Sequence, residues 1–361
     1  MKILTILGAR PQFIKAASIS RHVGNNSDLT EVLVHTGQHY DADMSDVFFE
    51  ELSIPRPAHH LGISGGGHGA MTGRMLEALE AVIVAEKPAV VLVYGDTNST
   101  LAGALAAAKL HVPIAHVEAG LRSFNRQMPE EINRVLVDHC ADLLFTPTDV
   151  ATLHLIREGI DRDRIQQVGD VMYDTALYFG DRARALGKGA SAFGLADRGF
   201  VLATVHRQEN TDDRARLASI LSALSAAAAQ IPVILPLHPR TRSRIADFGL
   251  EASLARIKVV DPLGYLDMVG LEAAAAVIAT DSGGVQKEAY FHGVPCVTLR
   301  DETEWVELVD AGWNRLVSPS SADIAEQILR AVGTQGRLIA PYGTGNAAEK
   351  IASALCERFA G

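Results

Sequence analysis

The run Val277-Ile278-Ala279-Thr280-Asp281-Ser282-Gly283-Gly284-Val285-Gln286-Lys287-Glu288 holds the fold in miniature. Val277–Thr280 is a short, mostly apolar run that stops at turn residues, the pattern of a strand buried on both faces. Asp281 to Gly284 supplies a tight turn, and Val285 onward reads as helix with Ser282 as its cap. Two glycines let the backbone approach a ligand closely, and a helix start offers unpaired N–H groups. That combination suits a diphosphate. Glu288 lies one helical turn after Gly284, on the same side, where it can accept hydrogen bonds from ribose hydroxyls. The same letters also fit an ordinary strand-to-helix turn, so the rest of the chain has to decide.

Outward from this stretch the same rhythm recurs. In the first half, strands are expected at Ile3–Leu7, Glu31–His35, Val90–Tyr94, Ile114–Glu118 and Leu143–Thr146, with helices at Met71–Glu86 and Asn98–Leu110 between them. In the second half, strands are expected at Phe200–Val205, Val233–Leu237, Lys258–Val260, Val277–Thr280 and Pro295–Leu299. Helices are expected at Arg214–Gln230, Gly284–His292 and Ala322–Val332. Strands separated by helices imply parallel sheets with right-handed crossovers, an α/β class. With 361 residues the chain exceeds one ordinary core. The pattern is weakest at Val168–Ala192, where Gly169, Gly180, Gly187 and Gly189 interrupt it, so the domain junction is placed there. Two doubly wound sheets would gather their strand C-termini around one crevice.

Composition removes several classes. A net charge of −10 without a basic block argues against nucleic acid, whose affinity comes from clustered Lys and Arg. Three scattered cysteines, Cys140, Cys296 and Cys356, suit a reducing cytoplasm rather than a disulfide scaffold. No apolar run approaches the roughly 20 residues of a membrane span. The histidines lack paired ligand spacing, so no metal and no cofactor are expected. Asp41/Asp43 and Asp161/Asp163 read as cap or turn carboxylates. Gly65-Gly66-Gly67-His68-Gly69 reads as a loop, since it lacks the dinucleotide spacing and a preceding strand.

Polar residues gather where the strands end, the positions that face ligand in parallel α/β sheets. They are Gly8, Arg10, Pro11 and Lys15; Asp96, Thr97 and Asn98; His116, Glu118, Gly120 and Arg122; then His206 and Arg207; His238, Pro239 and Arg240; and Asp281 to Gly284. Arg10 and Lys15 could stabilise a leaving diphosphate, although Lys15 reads more simply as a solvated helix cation. Asp96 and Glu118 end apolar runs, where a carboxylate's proton affinity can be tuned. Glu130 opens Pro129-Glu130-Glu131-Ile132-Asn133-Arg134, a helix start whose acidic pair also suits the macrodipole. His206 is either structural or, beside Arg207, a group that stabilises a phosphate oxygen.

Taken in order, Gly8-Ala9-Arg10-Pro11 with Lys15, Gly37-Gln38-His39, Tyr94-Gly95-Asp96-Thr97, His116 to Arg122, Pro129 to Arg134, His206-Arg207 and Asp281 to Glu288 resemble the non-hydrolysing UDP-N-acetylglucosamine 2-epimerases. The resemblance implies the GT-B fold, two Rossmann-like domains around a cleft. Residues 1–172 and 173–345 would form those domains, and residues 346–361, with a helix at Ala347–Phe359, would pack back on the first. It implies elimination of UDP to a glycal and re-addition, in an isomerase. Asp96, Glu118 and Glu130 would be the acid/base groups and His206 would assist the diphosphate. Arg10, Lys15, Ser282, Gly283, Gly284 and Glu288 would hold UDP, with Arg134, Arg207 and His238 completing the substrate-binding set. It also implies a cytoplasmic homodimer that takes a UDP-sugar and supplies a mannosamine-type precursor for surface polysaccharide.

Asp301-Glu302-Thr303-Glu304-Trp305-Val306-Glu307 replaces the family's usual Thr-Glu-Arg-Pro-Glu, and Met128 stands where a Trp is usual. Both resemble the branch acting on UDP-2,3-diacetamido-2,3-dideoxy-glucuronate. Gln38-His39-Tyr40 lacks the Arg that follows the His in enzymes activated by a second substrate molecule. A GT-B glycosyltransferase and a nucleotide-sugar binding protein without turnover are the alternatives. Three carboxylates grouped near one sugar favour the epimerase over both.

Overall fold

The computed structural model describes residues 1–38 and 46–359, without the side chains of 46–48. His39, Tyr40, Asp41 and Asp43 therefore lie outside the described residues. The chain divides into two compact units, Met1–Thr175 with Ala340–Gly361, and Ala176–Ile339.

In unit 1 the strands are β1 (Lys2–Leu7), β2 (Thr30–His35), β3 (His59–His60), β4 (Val90–Tyr94), β5 (Ile114–Val117), β6 (Leu143–Thr146) and β7 (Ile165–Gln167). They form one sheet in the order β3-β2-β1-β4-β5-β6-β7 with parallel pairing throughout. The helices are α1 (Arg10–Gly24), α2 (Asp46–Leu52), α3 (His68–Glu86), α4 (Asn98–Lys109), α5 (Pro129–Cys140) and α6 (Asp149–Arg157), and α7 (Val171–Ala185) begins in unit 1 and ends in unit 2. The central strands are apolar on both faces because helices cover both, and Ile6, Val93, Leu101, Ala104 and Val137 share one buried cluster. Pro11 and Pro129 begin α1 and α5 where a missing N–H costs nothing.

In unit 2 the strands are β8 (Val201–Thr204), β9 (Val233–Pro236), β10 (Lys258–Val260), β11 (Val277–Thr280), β12 (Cys296–Thr298) and β13 (Asn314–Leu316). Their order is β10-β9-β8-β11-β12-β13, again all parallel. The helices are α8 (Gln208–Thr211), α9 (Arg214–Ala227), α10 (Pro239–Asp247), α11 (Tyr265–Ala274), α12 (Gly283–Phe291), α13 (Val306–Asp310) and α14 (Ile324–Ala331). A last helix, α15 (Ala347–Phe359), belongs to unit 1. It packs on α1, and its Ala347 and Ala348 N–H groups donate to the Asp174 carboxylate at 3.1 and 2.9 Å.

Each sheet reverses its winding once, between β1 and β4 in unit 1 and between β8 and β11 in unit 2. Ligands of doubly wound folds bind just beyond the strand C-termini at such a point. The four loops there begin at Gly8, Gly95, Val205 and Asp281.

The expected strands are all present, within a residue or two at their ends. Three others, β3, β7 and β13, are not legible in the sequence: each is a sheet edge of two or three residues with polar character. Two readings need correction. Val168–Ala192 is not irregular throughout, because residues 171–185 are helical. Gly180 sits inside that helix for packing, since a Cβ there would lie 2.9 Å from His292 Cε1. Gly67-His68-Gly69 is likewise not loop: Gly67 caps α3, and His68 begins it.

Candidate functional site

In unit 1 paired ionisable side chains gather at the β4 and β5 ends. β5 stops at Val117, and Glu118 takes a left-handed backbone at φ 70°, a conformation that costs energy for a residue with a Cβ. That turn aims its carboxylate back across β4: Glu118 Oε1 lies 3.4 Å from where a Cβ on Gly95 would sit. Lys15, one turn into α1, donates to the same oxygen at 2.5 Å, with both side chains largely buried. Lys15 is thus an ion-pair partner and not the solvated helix cation that its place in the sequence suggests.

Asp96 follows Gly95 and pairs with the Arg134 guanidinium. Asn133 Nδ2 donates to the Asp96 carbonyl at 2.8 Å, so α5 fixes both ends of this residue. Arg134 is itself braced by Glu131 at 3.0 Å. Burial works to raise the Glu131 carboxyl, but the Ser123 and Phe124 N–H groups, the Ser123 hydroxyl and Arg134 outweigh it and hold it below the usual range. Glu130, one helical turn before Arg134, is exposed. Thr97, not Asp96, caps α4, accepting from the Thr100 N–H. Asp96 is therefore left for other work.

Beneath these carboxylates lies a closed network. His116, fully buried in β5, meets Asp138 Oδ1 at 2.7 Å and the Gly95 carbonyl at 2.8 Å. Asp138 also accepts from the Gly120 N–H at 3.1 Å and from Arg122 at 2.7 Å. Arg122 in turn pairs with Glu158. Burial raises Asp138, yet its partners His116 and Arg122 pull it below the ordinary value.

In unit 2 the site is made of backbone and caps. Ser282 caps α12 through its hydroxyl, leaving the helix start directed at the β11 end. Gly283 packs closely on Glu304, whose Oε1 would lie 2.4 Å from a Cβ there and whose Oε2 pairs with Arg300 at 2.7 Å. Trp305 Nε1 donates to the Gly283 carbonyl at 2.8 Å and its ring lies under Lys287. Gly284 faces Glu288, whose Oε2 is 4.0 Å from its would-be Cβ, so Glu288 stands on the helix-start side. Fully buried Asp281 accepts from the His206 and Arg207 N–H groups, each at 3.1 Å, and from Asn210 at 3.0 Å. That clamp aims the β8 end while the His206 ring stays half-exposed, 3.8 Å from Asp281. His238 is exposed and caps α10, accepting from the Arg240 N–H at 3.2 Å. Behind α12, burial and then the Glu288 charge push Glu272 well above the usual carboxyl range.

Comparison with known proteins agrees with this geometry. The UDP-N-acetylglucosamine 2-epimerase family profile matches residues 21–356. The chain is 55% identical over 365 residues to the UDP-2,3-diacetamido-2,3-dideoxy-D-glucuronate 2-epimerase of Pseudomonas aeruginosa, covering 99% of this chain and 100% of that one. The solved UDP-GlcNAc 2-epimerase of Methanocaldococcus jannaschii superposes with a TM-score of 0.88 at 40% identity, over 99% of this chain and 100% of that one. The Neisseria meningitidis UDP-GlcNAc 2-epimerase, solved bound to UDP-GlcNAc, gives 0.87 at 30% identity with coverage of 99% and 100%. The chain belongs to the UDP-N-acetylglucosamine 2-epimerase family. Its two parallel-sheet α/β units are those of the GT-B-like fold that these epimerases share.

Within that family frame, several residues singled out as ligand-facing do not face ligand. His116, Arg122 and Asp281 are buried among protein partners, with side-chain exposures of 0%, 1% and 0%. Their part is to hold neighbours. Glu131, Asp138, Asn133 and Glu272 carry structure around the site and were not singled out. A polar residue inside an apolar strand, as His116 is in Ile114–Val117, was the available signal; Asp138 and Glu272 look like ordinary helix acids in sequence. No described helix is long and apolar enough to cross a membrane. Among the described residues no three His, Cys, Asp or Glu side chains gather as a metal site would require.

Proposed function

We propose that this chain inverts C2 of a UDP-linked N-acetylated hexosamine by eliminating and re-adding UDP. A carboxylate of unit 1 takes the C2 proton as the C1–O bond breaks, its electron pair leaving with UDP and a glycal remaining. A proton returns to C2 on the opposite face, and UDP adds back at C1. Asp96, Glu118 and Glu130 are the acid/base groups, each placed at or beside the β4 and β5 ends. Ser282, Gly283 and Gly284 present the α12 start to the diphosphate, and Glu288 accepts from the ribose. Arg10, Lys15, Arg134, Arg207, His206 and His238 supply the remaining polar contacts. Functional domains run 1–172 and 173–345, with 346–361 returning to the first.

One observation carries the reading: two carboxylates, each gripped by its own cation, stand at the ends of the adjacent strands β4 and β5 beside the winding reversal of one sheet. Pure binding has no need of such pairs, whereas moving a proton between faces of a ring does. The substrate is the 2,3-diacetamido-glucuronate sugar nucleotide, supported by the 55% identity to the enzyme of that name and by the Trp305 segment packed on Gly283. The test is incubation in heavy water, without any acceptor, of UDP-N-acetylglucosamine and of its 3-acetamido uronic acid relative. Deuterium at C2 of the epimer is expected, faster with the uronate. Protium retained in recovered product would end the mechanism.

The functional form is a homodimer. Supporting it, α5, α6 and the loop before α5 leave Phe124, Ile132, Leu136, Val150 and Leu153 at least 43% exposed, an apolar surface a second copy would cover. Leu136→Glu is expected to shift sedimentation from dimer to monomer.

A further inference from the structure

We propose that His116 donates from both ring nitrogens, as an imidazolium with Asp138 as its counter-ion, and so positions both strand-end carboxylates. This rests on the epimerase reading and names a residue that reading does not use. The Gly95 carbonyl can only accept, so His116 Nε2, 2.8 Å away, must carry a proton. Asp138 already accepts from the Gly120 N–H and meets the Arg122 guanidinium at 2.7 Å, a permanent cation whose buried partner must be a carboxylate. His116 Nδ1, 2.7 Å from Asp138 Oδ1, therefore carries a proton too. A ring with both nitrogens protonated is a cation, here with no exposed surface.

Its partners give the cation a purpose. Gly95 immediately precedes Asp96, and Gly120 comes two residues after Glu118. Gly95, Glu118 and Gly120 all have left-handed backbones, at φ 62°, 70° and 80°. The two glycines take this conformation freely, but Glu118 keeps it only because its surroundings over-determine it. The chain Gly95 carbonyl, His116, Asp138, Gly120 N–H ties the two loops together from below, so the Asp96 and Glu118 carboxylates share one rigid base. The charges around that base are Lys15 on Glu118, Arg134 on Asp96, Arg122 on Asp138 and Glu158 beyond Arg122. His116 touches no reacting atom; it is a positioning residue.

Two measurements test this. In protein labelled with 15N-histidine, with His116 assigned by its loss in His116→Gln, both ring nitrogens should be protonated at the pH of the rate assay. A neutral ring, with one bare nitrogen, overturns the proposal whatever the enzyme does. In His116→Gln the side-chain amide can still donate to Gly95, but the charge is gone. Its kcat should fall on the order of 10²-fold with KM changed less than about threefold, and the acid limb of kcat/KM should move to higher pH. His116→Phe, lacking the donor as well, should fall further. Unchanged kcat and pH profile in folded His116→Gln overturn the proposal; if that variant misfolds, the ring titration of the unaltered chain, assigned instead by sequential labelling, decides alone. A wild-type chain that shows the doubly protonated ring but no C2 exchange would refute the epimerase reading and the positioning role together, leaving only the charge assignment.

Discussion

The two winding reversals of this molecule are built alike and equipped differently. In unit 1 the loops after β1, β4 and β5 carry long ionisable side chains locked to one another, Lys15 to Glu118 and Arg134 to Asp96, above the His116–Asp138 pair. In unit 2 the loops after β8 and β11 present main-chain groups: a Ser-capped helix start and N–H groups clamped by Asp281. The difference teaches what each reversal is suited to. Proton transfer needs ionisable groups held within tenths of an ångström, and networks of charge-assisted bonds give that rigidity. A diphosphate needs oriented dipoles that never change protonation state, which a helix start supplies at any pH.

The comparison can be broken at several points, and the largest effect belongs to unit 1. Glu118→Gln keeps shape but not basicity, so turnover is expected to fall about 10²- to 10⁴-fold while UDP still binds; calorimetry with UDP beside a rate assay would show the split. Loss of UDP binding instead would mean that the two reversals do not divide the work. In unit 2, Asp281→Ala strips a fully buried carboxylate from two main-chain donors and Asn210. It is expected to cost about 3 kcal/mol of stability, because those donors are left unpaired. Denaturant titration reads this directly, and UDP affinity should drop with it.

Acid sharpens the comparison, since each unit hides one neutral imidazole. Burial first, then the neighbouring His60, lowers His35 from its ordinary 6.5 to about 4; burial first, then Arg198 and Arg184, does the same for His292. The unfolded chain takes up a proton at each ring as pH falls below about 6.5, and the folded chain does not until about 4. Both rings therefore contribute stability that is complete above 6.5 and is lost as pH falls through that window. Melting curves between pH 7 and pH 4.5 should show a falling midpoint, with a shallower slope in His35→Phe. An identical slope in that variant would show that unit 2 governs acid unfolding. The smallest effect is Ser282→Ala, which removes one cap at about 1 kcal/mol and should weaken UDP about fivefold without touching C2 exchange in the bound complex.

Much of this was legible in the letters. Apolar runs ending in turn residues marked ten strands, because a strand buried on both faces leaves no room for polar side chains. The same runs place Asp96, Glu118 and Ser282 just beyond strand C-termini, where the structure has them. The edge strands β3, β7 and β13 could not be found, since two or three hydrogen-bonded residues at a sheet margin need no apolar pattern. Gly180 looked like a helix breaker, and only its contact with His292, far away in sequence, explains it.

What the sequence determined by itself is therefore the alternation, the parallel sheets and the identity of the strand-end residues, all of which follow from local periodicity and turn chemistry. What only the tertiary structure decided is which charge meets which. Lys15 and Glu118 are separated by 103 residues, and Asp96 and Arg134 by 38, and no local rule pairs them. Side-chain partners depend on how sheets and helices pack, and packing is a property of the whole chain.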